Sequence, residues 1–358
     1  MTAASGDGQR DGGARLGLSE RLRLGPVICA EGYLFELERR GYLQAGPFVP
    51  EVVLDHPEQV TALHEQFVHA GSDVVEAFTY YAHREKLRVV GKEDQLASMN
   101  RQALALAGQV AQATGTLLAG NICNTNIYDP GDESTHGSAQ SMFVEQIGWA
   151  VEAGADLVVG ETFSFATEAL LACAEIKRAG LPAVVTLAVH REPTTREGWS
   201  LAEACRRLEQ AGADVVGLNC ARGPQTMLPL LEQIVPAVSV PVAALPVPYR
   251  TTPQQPNFQA LHDPDGPPTP AGRAFPTALD PFTCTRYEIA DFTRQAQQLG
   301  VSYLGVCCGA APHHVRAMAE ALGRTPPASR YSEDMARHIY FGAPGSVASH
   351  NRDYGDQL

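Results

Sequence analysis

The chain has 358 residues, of which 44% are hydrophobic and 19% charged, and its formal net charge is −13. This composition can bury a large core and excludes wholesale disorder. The acidic balance argues against nucleic acid and anionic membranes as partners, because both select a basic surface. No stretch of the sequence reaches the 18 consecutive apolar residues that a membrane-spanning helix requires.

The N-terminus and the cysteine content predict a cytoplasmic protein. Residues 1–17 are polar and glycine-rich and lack the apolar core of a secretory signal, so we predict a flexible arm there. Eight cysteines are too few for a disulfide scaffold in a chain of this length. In a reducing compartment they are expected to be buried, catalytic or metal-binding thiols.

One unit recurs along the chain: a helical pattern, a glycine, and then a short run of apolar residues. The glycines at 71, 154, 212 and 300 suit the position just after a helix, where a left-handed residue closes it. The apolar runs are too continuous for a one-sided sheet and predict parallel strands buried on both faces. Strands are predicted over residues 26–31, 74–78, 117–123, 157–163, 183–189, 215–220, 240–247 and 303–308. Helices between them include Pro57–Ala70, Ser141–Ala153, Leu201–Ala211 and Arg286–Leu299.

Eight alternating strands and helices predict an α/β protein of the (β/α)₈ TIM barrel type. We expect one domain over residues 18–325, preceded by the arm and followed by a short C-terminal tail over 326–358. A doubly wound open sheet is disfavoured, because no G-x-G-x-x-G loop follows the first strand. The long connections 124–140 and 251–281 follow the third and seventh strands, and their lengths are typical of lids or binding loops.

Three cysteines lie at strand ends that converge in a barrel. Cys220 ends the sixth strand, and Cys307 and Cys308 end the eighth. Three thiolates around Zn²⁺ leave the fourth tetrahedral position open, which is typical of catalytic zinc. Adjacent strand residues point to opposite faces, so the pair can share a metal only if the strand ends there, which Gly309 permits. Packing in the core is the simpler interpretation for Cys29, Cys173, Cys205 and Cys284, and Cys123 is less clear because it ends a strand.

The segments GLNC (217–220) and GVCCG (305–309) resemble those of the zinc-thiolate homocysteine S-methyltransferase family, in particular its betaine-using branch. The resemblance extends from about residue 19 to about residue 328. It implies a (β/α)₈ barrel and one Zn²⁺ held by the three cysteines. It also implies methyl transfer from a betaine-type onium donor to the thiol of L-homocysteine, giving methionine, so that the partners are small molecules.

The resemblance also assigns the substrate sites. Glu161 matches the family glutamate that binds the acceptor amino group, and Glu31 and Gly32 are expected in the same site. Cationic onium groups bind to aromatic ring faces, so aromatic residues near strand ends are predicted to bind the donor. These residues are Tyr33, Phe48, Phe78, Tyr80, Tyr81 and Phe275. Tyr81 matches a family tyrosine that contacts the donor carboxylate.

The sequence departs from the family pattern at four places. Ala30 stands where the family has aspartate, which leaves open whether Glu31 replaces it. Phe48 stands for a tryptophan and cannot donate a hydrogen bond to a donor carboxylate. Thr162 stands for the tyrosine that serves as a spare zinc ligand when no thiol is bound, and Val306 stands for a glycine.

These departures keep other functions open. The same reaction with a sulfonium donor, dimethylsulfoniopropionate or S-methylmethionine, is one alternative, which Phe48 favours. A catalytically degenerate zinc-binding protein of the same fold is another. A Schiff-base lyase or aldolase is disfavoured, because none of the predicted strands carries a lysine. The long C-terminal arm of tetrameric relatives is largely absent after Arg330, so a homo-oligomer stays open and a tetramer is disfavoured.

Overall fold

A computed structural model describes residues 15–269 and 272–358, so most of the predicted arm, residues 1–14, lies outside the described residues. Eight parallel strands follow one another around a closed barrel in sequence order, and the last pairs with the first. The strands are β1 (Val27–Ala30), β2 (Val74–Glu76), β3 (Leu117–Cys123), β4 (Leu157–Phe163), β5 (Ala183–Leu187), β6 (Val215–Asn219), β7 (Val242–Leu245) and β8 (Tyr303–Val306). The prediction of a (β/α)₈ barrel is confirmed.

Helices separate successive strands and cover the barrel. They are α1 (Leu18–Leu24), α2 (Tyr33–Arg39), α3 (Val52–Asp55), α4 (Pro57–Ala70), α5 (Arg84–Val89), α6 (Leu96–Thr114), α7 (Glu133–Glu152), α8 (Ala166–Arg178), α9 (Leu201–Gln210), α10 (Pro224–Ile234), α11 (Arg286–Leu299), α12 (Pro312–Ala321) and α13 (Ser349–Gly355). The four glycines expected just after helices have φ between 71° and 118°, as the left-handed position requires. Among the described residues, no helix is both long and apolar enough to cross a bilayer.

Six of the eight predicted strands are too long at their C-terminal ends, whereas β3 and β4 have the predicted bounds. β6 ends one residue before Cys220, β8 ends before Cys307, and β2 ends at Glu76 rather than at residue 78. β1, β5 and β7 are shorter in the same way. The residues beyond these ends leave the ladder to form the turns that carry polar and sulfur-containing side chains.

The connection after β3 is shorter than predicted, because α7 begins at Glu133 and not at residue 141. The side chain of Asp132 caps this helix by accepting a hydrogen bond from the Ser134 backbone N–H at 3.0 Å. Buried apolar residues recur at helical spacing only from about Ala139 onward, so the sequence pattern does not predict the first two turns of α7. The described part of the connection after β7 is mostly irregular, with short 3₁₀ turns at Phe258–Ala260 and Asp280–Phe282.

Side chains alternate between the two faces of each strand, and this alternation places the polar residues of the site inside the barrel. In β3, Leu117 and Ala119 join the apolar floor of the barrel, and in β4 Leu157 and Val159 do the same. Residues two positions further share the same face of a strand, so polar side chains stand above this floor. They are Asn121 in β3, Glu161 in β4 and Asn219 in β6.

Candidate active site

A hydrogen-bonded polar layer covers the apolar floor. Asn121 Nδ2 donates to Glu161 Oε1 at 2.6 Å and to Glu76 Oε1 at 2.7 Å. Asn219 Nδ2 donates to Glu161 Oε2 at 2.6 Å, and the Thr162 hydroxyl donates to the same oxygen at 3.0 Å. Glu161 is therefore held from both sides in one orientation, with only 5% of its surface exposed.

The three predicted metal ligands come together above this layer. The sulfur of Cys308 lies 3.8 Å from that of Cys220 and 3.8 Å from that of Cys307, and all three sulfur atoms lie within 4.8 Å of one another. Thiolates bound tetrahedrally to zinc at ~2.3 Å are about 3.8 Å apart. The described residues therefore bring three sulfur atoms to the spacing of a single tetrahedral metal ion.

The turns after β6 and β8 create this spacing. Cys220 and Ala221 have φ of 55° and 53°, a left-handed conformation that is uncommon for residues with a side chain. The Cys307 N–H donates to the Pro246 carbonyl at 2.9 Å, which anchors the turn after β8 to the end of β7. Gly309 has φ of 94°, and a Cβ there would lie 2.3 Å from the Tyr249 hydroxyl oxygen. Glycine is thus required where the predicted strand break occurs.

The electrostatics of the cysteine cluster suit a cation. Hydrogen bonds from Cys307 and Cys308 lower the pKa of the Cys220 thiol well below its usual value. The contact with Cys220 is the main cause that raises the pKa values of the Cys307 and Cys308 thiols well above theirs. A bound cation would favour ionisation of all three thiols.

Glu31 is the least satisfied polar group beside the cluster. It is 7% exposed, and neither of its carboxylate oxygens has a hydrogen-bond partner in the described chain. Burial, followed by the charges of Glu161 and Glu76, raises its pKa well above the usual value. At Gly32 a Cβ would lie 2.6 Å from the Ala310 carbonyl oxygen, so glycine allows the close approach that brings Glu31 next to Cys307. A buried carboxylate without partners is a ready contact for a cationic ligand.

Two cavities meet at the sulfur atoms. The inner cavity is small and acidic; its lining includes Glu31, Glu76, Asn121, Glu161, Tyr33, Phe78, Tyr80, Cys307 and Cys308. The outer cavity has a volume of about 360 Å³ and opens to solvent. Its lining includes Phe35, Phe48, Tyr80, Tyr81, Tyr128, Phe165, Phe258, Phe275, Cys220 and Cys308. Tyr80 and Cys308 face both cavities.

The structure divides the six predicted donor-binding residues. Four of them line the outer cavity; these are Phe48, Tyr80, Tyr81 and Phe275. Tyr33 and Phe78 line the inner cavity instead, beside the predicted acceptor residues. Tyr33 packs edge-on against His64 and Phe67, so it also belongs to the core between the barrel and α4.

Backbone strain is concentrated around the outer cavity. Six non-glycine residues of the described chain have positive φ, and every one of them lines this cavity. They are Phe48, Tyr81, Asn126, Thr162, Cys220 and Ala221. Each such conformation costs of order 1–3 kcal/mol, so the surrounding structure holds these side chains in place against their preferred geometry.

Two further cysteines lie far from the cluster. Cys173 in α8 and Cys205 in α9 are fully buried in the apolar core. Burial raises the pKa of the Cys173 thiol to about 11 and that of the Cys205 thiol to about 12. Both therefore have the environment of packing residues.

Several residues of the site had not been singled out from the sequence. Asn121 carried a usable signal, because it is a polar residue at an inward position of an otherwise apolar strand. Glu76 carried the same signal at the end of β2. Phe258 and Arg196 come from irregular connections, where no periodicity predicts which way a side chain faces.

Comparison with known proteins defines the class to which this site belongs. Residues 28–322 match the family described as homocysteine S-methyltransferase. The chain therefore belongs to the homocysteine S-methyltransferase family and is a methyltransferase.

Individual relatives cover most of the chain. It is 34% identical to betaine–homocysteine S-methyltransferase 1 of Rattus norvegicus, over 88% of this chain and 78% of that protein. It is 33% identical to S-methylmethionine–homocysteine S-methyltransferase of Mus musculus, over 88% of this chain and 85% of that protein. The metallated form of the homocysteine methyltransferase MmuM from Escherichia coli has the same fold, with a TM-score of 0.64 at 20% identity over 84% of this chain and 98% of that one.

Proposed function

We propose that this protein is a zinc-dependent enzyme that transfers a methyl group from an onium donor to the thiol of L-homocysteine, giving methionine. The observation that carries the proposal is the position of three sulfur atoms, 3.8 Å apart along two edges, between an acidic inner cavity and an aromatic outer cavity. An acceptor thiol and a cationic donor can approach the same point from opposite sides.

Cys220, Cys307 and Cys308 would hold the zinc ion. Their spacing and their sulfur ligand atoms both fit this ion. Zinc bound there would lower the pKa of the acceptor thiol, so that its sulfur is deprotonated and nucleophilic at neutral pH. Three cysteine ligands would leave one ligand position for that sulfur.

The inner cavity suits the amino acid part of the acceptor. Glu31 offers two unpartnered oxygens to an ammonium group, and Glu161 offers a carboxylate held in place by Asn121 and Asn219. In this proposal Glu31 takes the role of the family aspartate whose position Ala30 occupies. Fixing the ammonium group also fixes the direction of the thiol, which orients the sulfur for reaction.

The outer cavity suits the methyl donor. Rings of Phe48, Tyr80 and Tyr81 line it and can bind a quaternary ammonium or sulfonium group through their faces. The acceptor sulfur uses an electron pair to form the new S–CH₃ bond. The old bond from methyl to nitrogen or sulfur breaks, and the donor leaves as a neutral amine or thioether that retains the bonding electron pair.

A sulfonium donor is the second candidate within this reaction. Phe48 presents a ring without a hydrogen-bond donor where a donor carboxylate is held in the betaine-using relatives. Identity does not separate the two donors, because the chain is 34% identical to a betaine-named relative and 33% identical to an S-methylmethionine-named one. A degenerate, non-catalytic protein is less well supported, because the thiols, the inner carboxylates and the aromatic cavity are all present. The oligomeric state and the cytoplasmic location stay predictions.

The donor is tested by initial rates of methionine formation from homocysteine with glycine betaine, dimethylsulfoniopropionate and S-methylmethionine in turn. We expect at least one donor to give methionine, and none doing so would overturn the proposal. Phe48→Trp restores an indole N–H and should shift the ratio of kcat/KM toward glycine betaine relative to dimethylsulfoniopropionate. An unchanged ratio would show that residue 48 does not select the donor.

A further inference from the structure

The outer cavity contains a cationic side chain that the proposed chemistry does not yet use. Arg196 lies in the connection between β5 and α9 and lines this cavity together with the cluster cysteines Cys220 and Cys308. Its guanidinium carbon stands 4.4 Å from the centre of the Phe165 ring, which lies in the same lining. A guanidinium stacked on a ring is held in orientation while its N–H groups stay free for a planar anion.

The carboxylates nearest to Arg196 are engaged elsewhere. Glu197 accepts hydrogen bonds from the backbone N–H groups of Ala166 and Thr167 at 2.9 Å and so caps α8. Glu168 also lines the outer cavity, and its Oε1 accepts from the backbone N–H and the hydroxyl of Thr125. Burial raises the pKa of Glu168, and the charge of Arg196 acts against that rise. Within the described chain Arg196 forms no ion pair, although arginines close to it in sequence do. Its charge is therefore available to a ligand.

The connection that carries Arg196 is well ordered by hydrogen bonds. Thr194 and Ser200 form an antiparallel bridge, and the Arg196 N–H donates to the Ser164 carbonyl at 2.9 Å. These contacts join the two sides of the loop that carries Arg196, and they join the loop to the residue that follows β4. Arg196 is exposed, so its backbone is fixed by these hydrogen bonds and its guanidinium by the contact with Phe165.

Four rings of the lining carry no polar atom and cannot bind an anion; these are Phe35, Phe48, Phe258 and Phe275. Among the described residues that line the cavity, Arg196 is the only arginine or lysine. We propose that Arg196 binds the carboxylate of the methyl donor, so that the enzyme selects zwitterionic onium compounds, with the cation toward the sulfur atoms and the carboxylate toward the mouth. This inference rests on the proposed function, and it makes Arg196 a specificity-determining residue.

The test is a binding measurement that does not depend on turnover. Dimethylsulfoniopropionate and dimethylpropylsulfonium, which lacks the carboxylate, are titrated calorimetrically into zinc-loaded protein, with L-methionine present to occupy the acceptor site without reacting. Arg196→Gln should weaken the zwitterion about tenfold, near the low end for a charge-assisted contact because the guanidinium is exposed. It should leave the carboxylate-free cation within about twofold, and Arg196→Lys should recover part of the loss.

Arg191→Gln is the matched control, an exposed arginine in the same connection that does not line the cavity. It should change neither affinity. Three results would overturn the inference. The parent and Arg196→Gln could bind dimethylsulfoniopropionate equally, or Arg196→Gln could weaken dimethylsulfoniopropionate and dimethylpropylsulfonium by the same factor. The third is that the parent does not bind dimethylsulfoniopropionate at all. If the zwitterion binds in an Arg196-dependent way but no donor yields methionine, the proposed function fails, and only the binding of a carboxylate by Arg196 is supported.

Discussion

The three cysteines of the cluster lie just beyond strand ends. Cys220, Cys307 and Cys308 all lie outside the strands that precede them, in turns that depend on left-handed backbone or on glycine. Within a strand, Cys307 and Cys308 would face opposite sides of the sheet. Ending the strand at Val306 is therefore what allows both sulfur atoms to face Cys220.

The metal assignment is tested by removing one sulfur. Cys307→Ala deletes a ligand and a negative charge, so it should lose zinc and methyl-transfer activity together. Cys173→Ala is the control, because Cys173 is buried in α8, and it should retain one zinc per chain despite some loss of stability. Metal content by mass spectrometry distinguishes the two. Stoichiometric zinc in Cys307→Ala would refute the ligand assignment.

The inner carboxylates are tested by removing charge without changing size. Glu161→Gln should keep its zinc but bind homocysteine about 10- to 150-fold more weakly, the worth of a charge-assisted contact with an ammonium group. Glu31→Gln should act in the same direction. The control is Glu175→Gln, which alters a buried carboxylate of α8 outside both cavities. Zinc loss with unchanged homocysteine affinity would instead place Glu161 at the metal.

At the scale of elements, the cap of α11 ties the connection after β7 to the barrel. Glu288 accepts from the Thr285 N–H at 2.7 Å and from Arg250 at 2.7 Å through both oxygens, in a capping box. The hydrogen bonds from Arg250 are the main cause that lowers the pKa of Glu288 to about 2. A carboxyl with a lowered pKa stabilises the fold fully above its unfolded value, near 4.5, and the effect fades as the pH falls toward 2.

Glu288→Gln should therefore reduce the free energy of unfolding by about 1 kcal/mol at pH 7, since the pair is partly exposed. The difference between parent and variant should shrink between pH 4.5 and 2. Urea unfolding of both proteins at pH 7 and at pH 3 measures it. A difference that is the same at both pH values would mean that the charge of Glu288 does not stabilise the cap.

The same scale shows what sequence patterns can and cannot predict. The eight strands could be predicted because each is a short apolar run preceded by a helix and often by a left-handed glycine. The start of α7 could not, because its first two turns are capped by Asp132 and lack an apolar face. Cys220, Cys307 and Cys308 stood out by residue type at strand ends. Arg196 did not, since tertiary contacts alone orient it toward the cavity.

At the scale of the whole molecule, the C-terminal end of the barrel separates two kinds of ligand group. Three carboxylates and three rings line the inner cavity, most of the lining rings belong to the outer one, and the sulfur atoms lie where the two meet. A parallel barrel makes this possible, because apolar side chains close its floor and the loops that follow its strands all lie at one end. In the proposed reaction the acceptor sulfur therefore reaches the metal from within the barrel.

X-ray absorption at the zinc edge tests most directly whether the acceptor sulfur reaches the metal. Zinc-loaded protein should show three sulfur ligands at ~2.3 Å, from the three cysteines, together with one lighter ligand. Addition of L-homocysteine should replace the lighter ligand with a fourth sulfur, and L-homoserine, which has a hydroxyl in place of the thiol, should not. A zinc environment that homocysteine leaves unchanged would contradict the account.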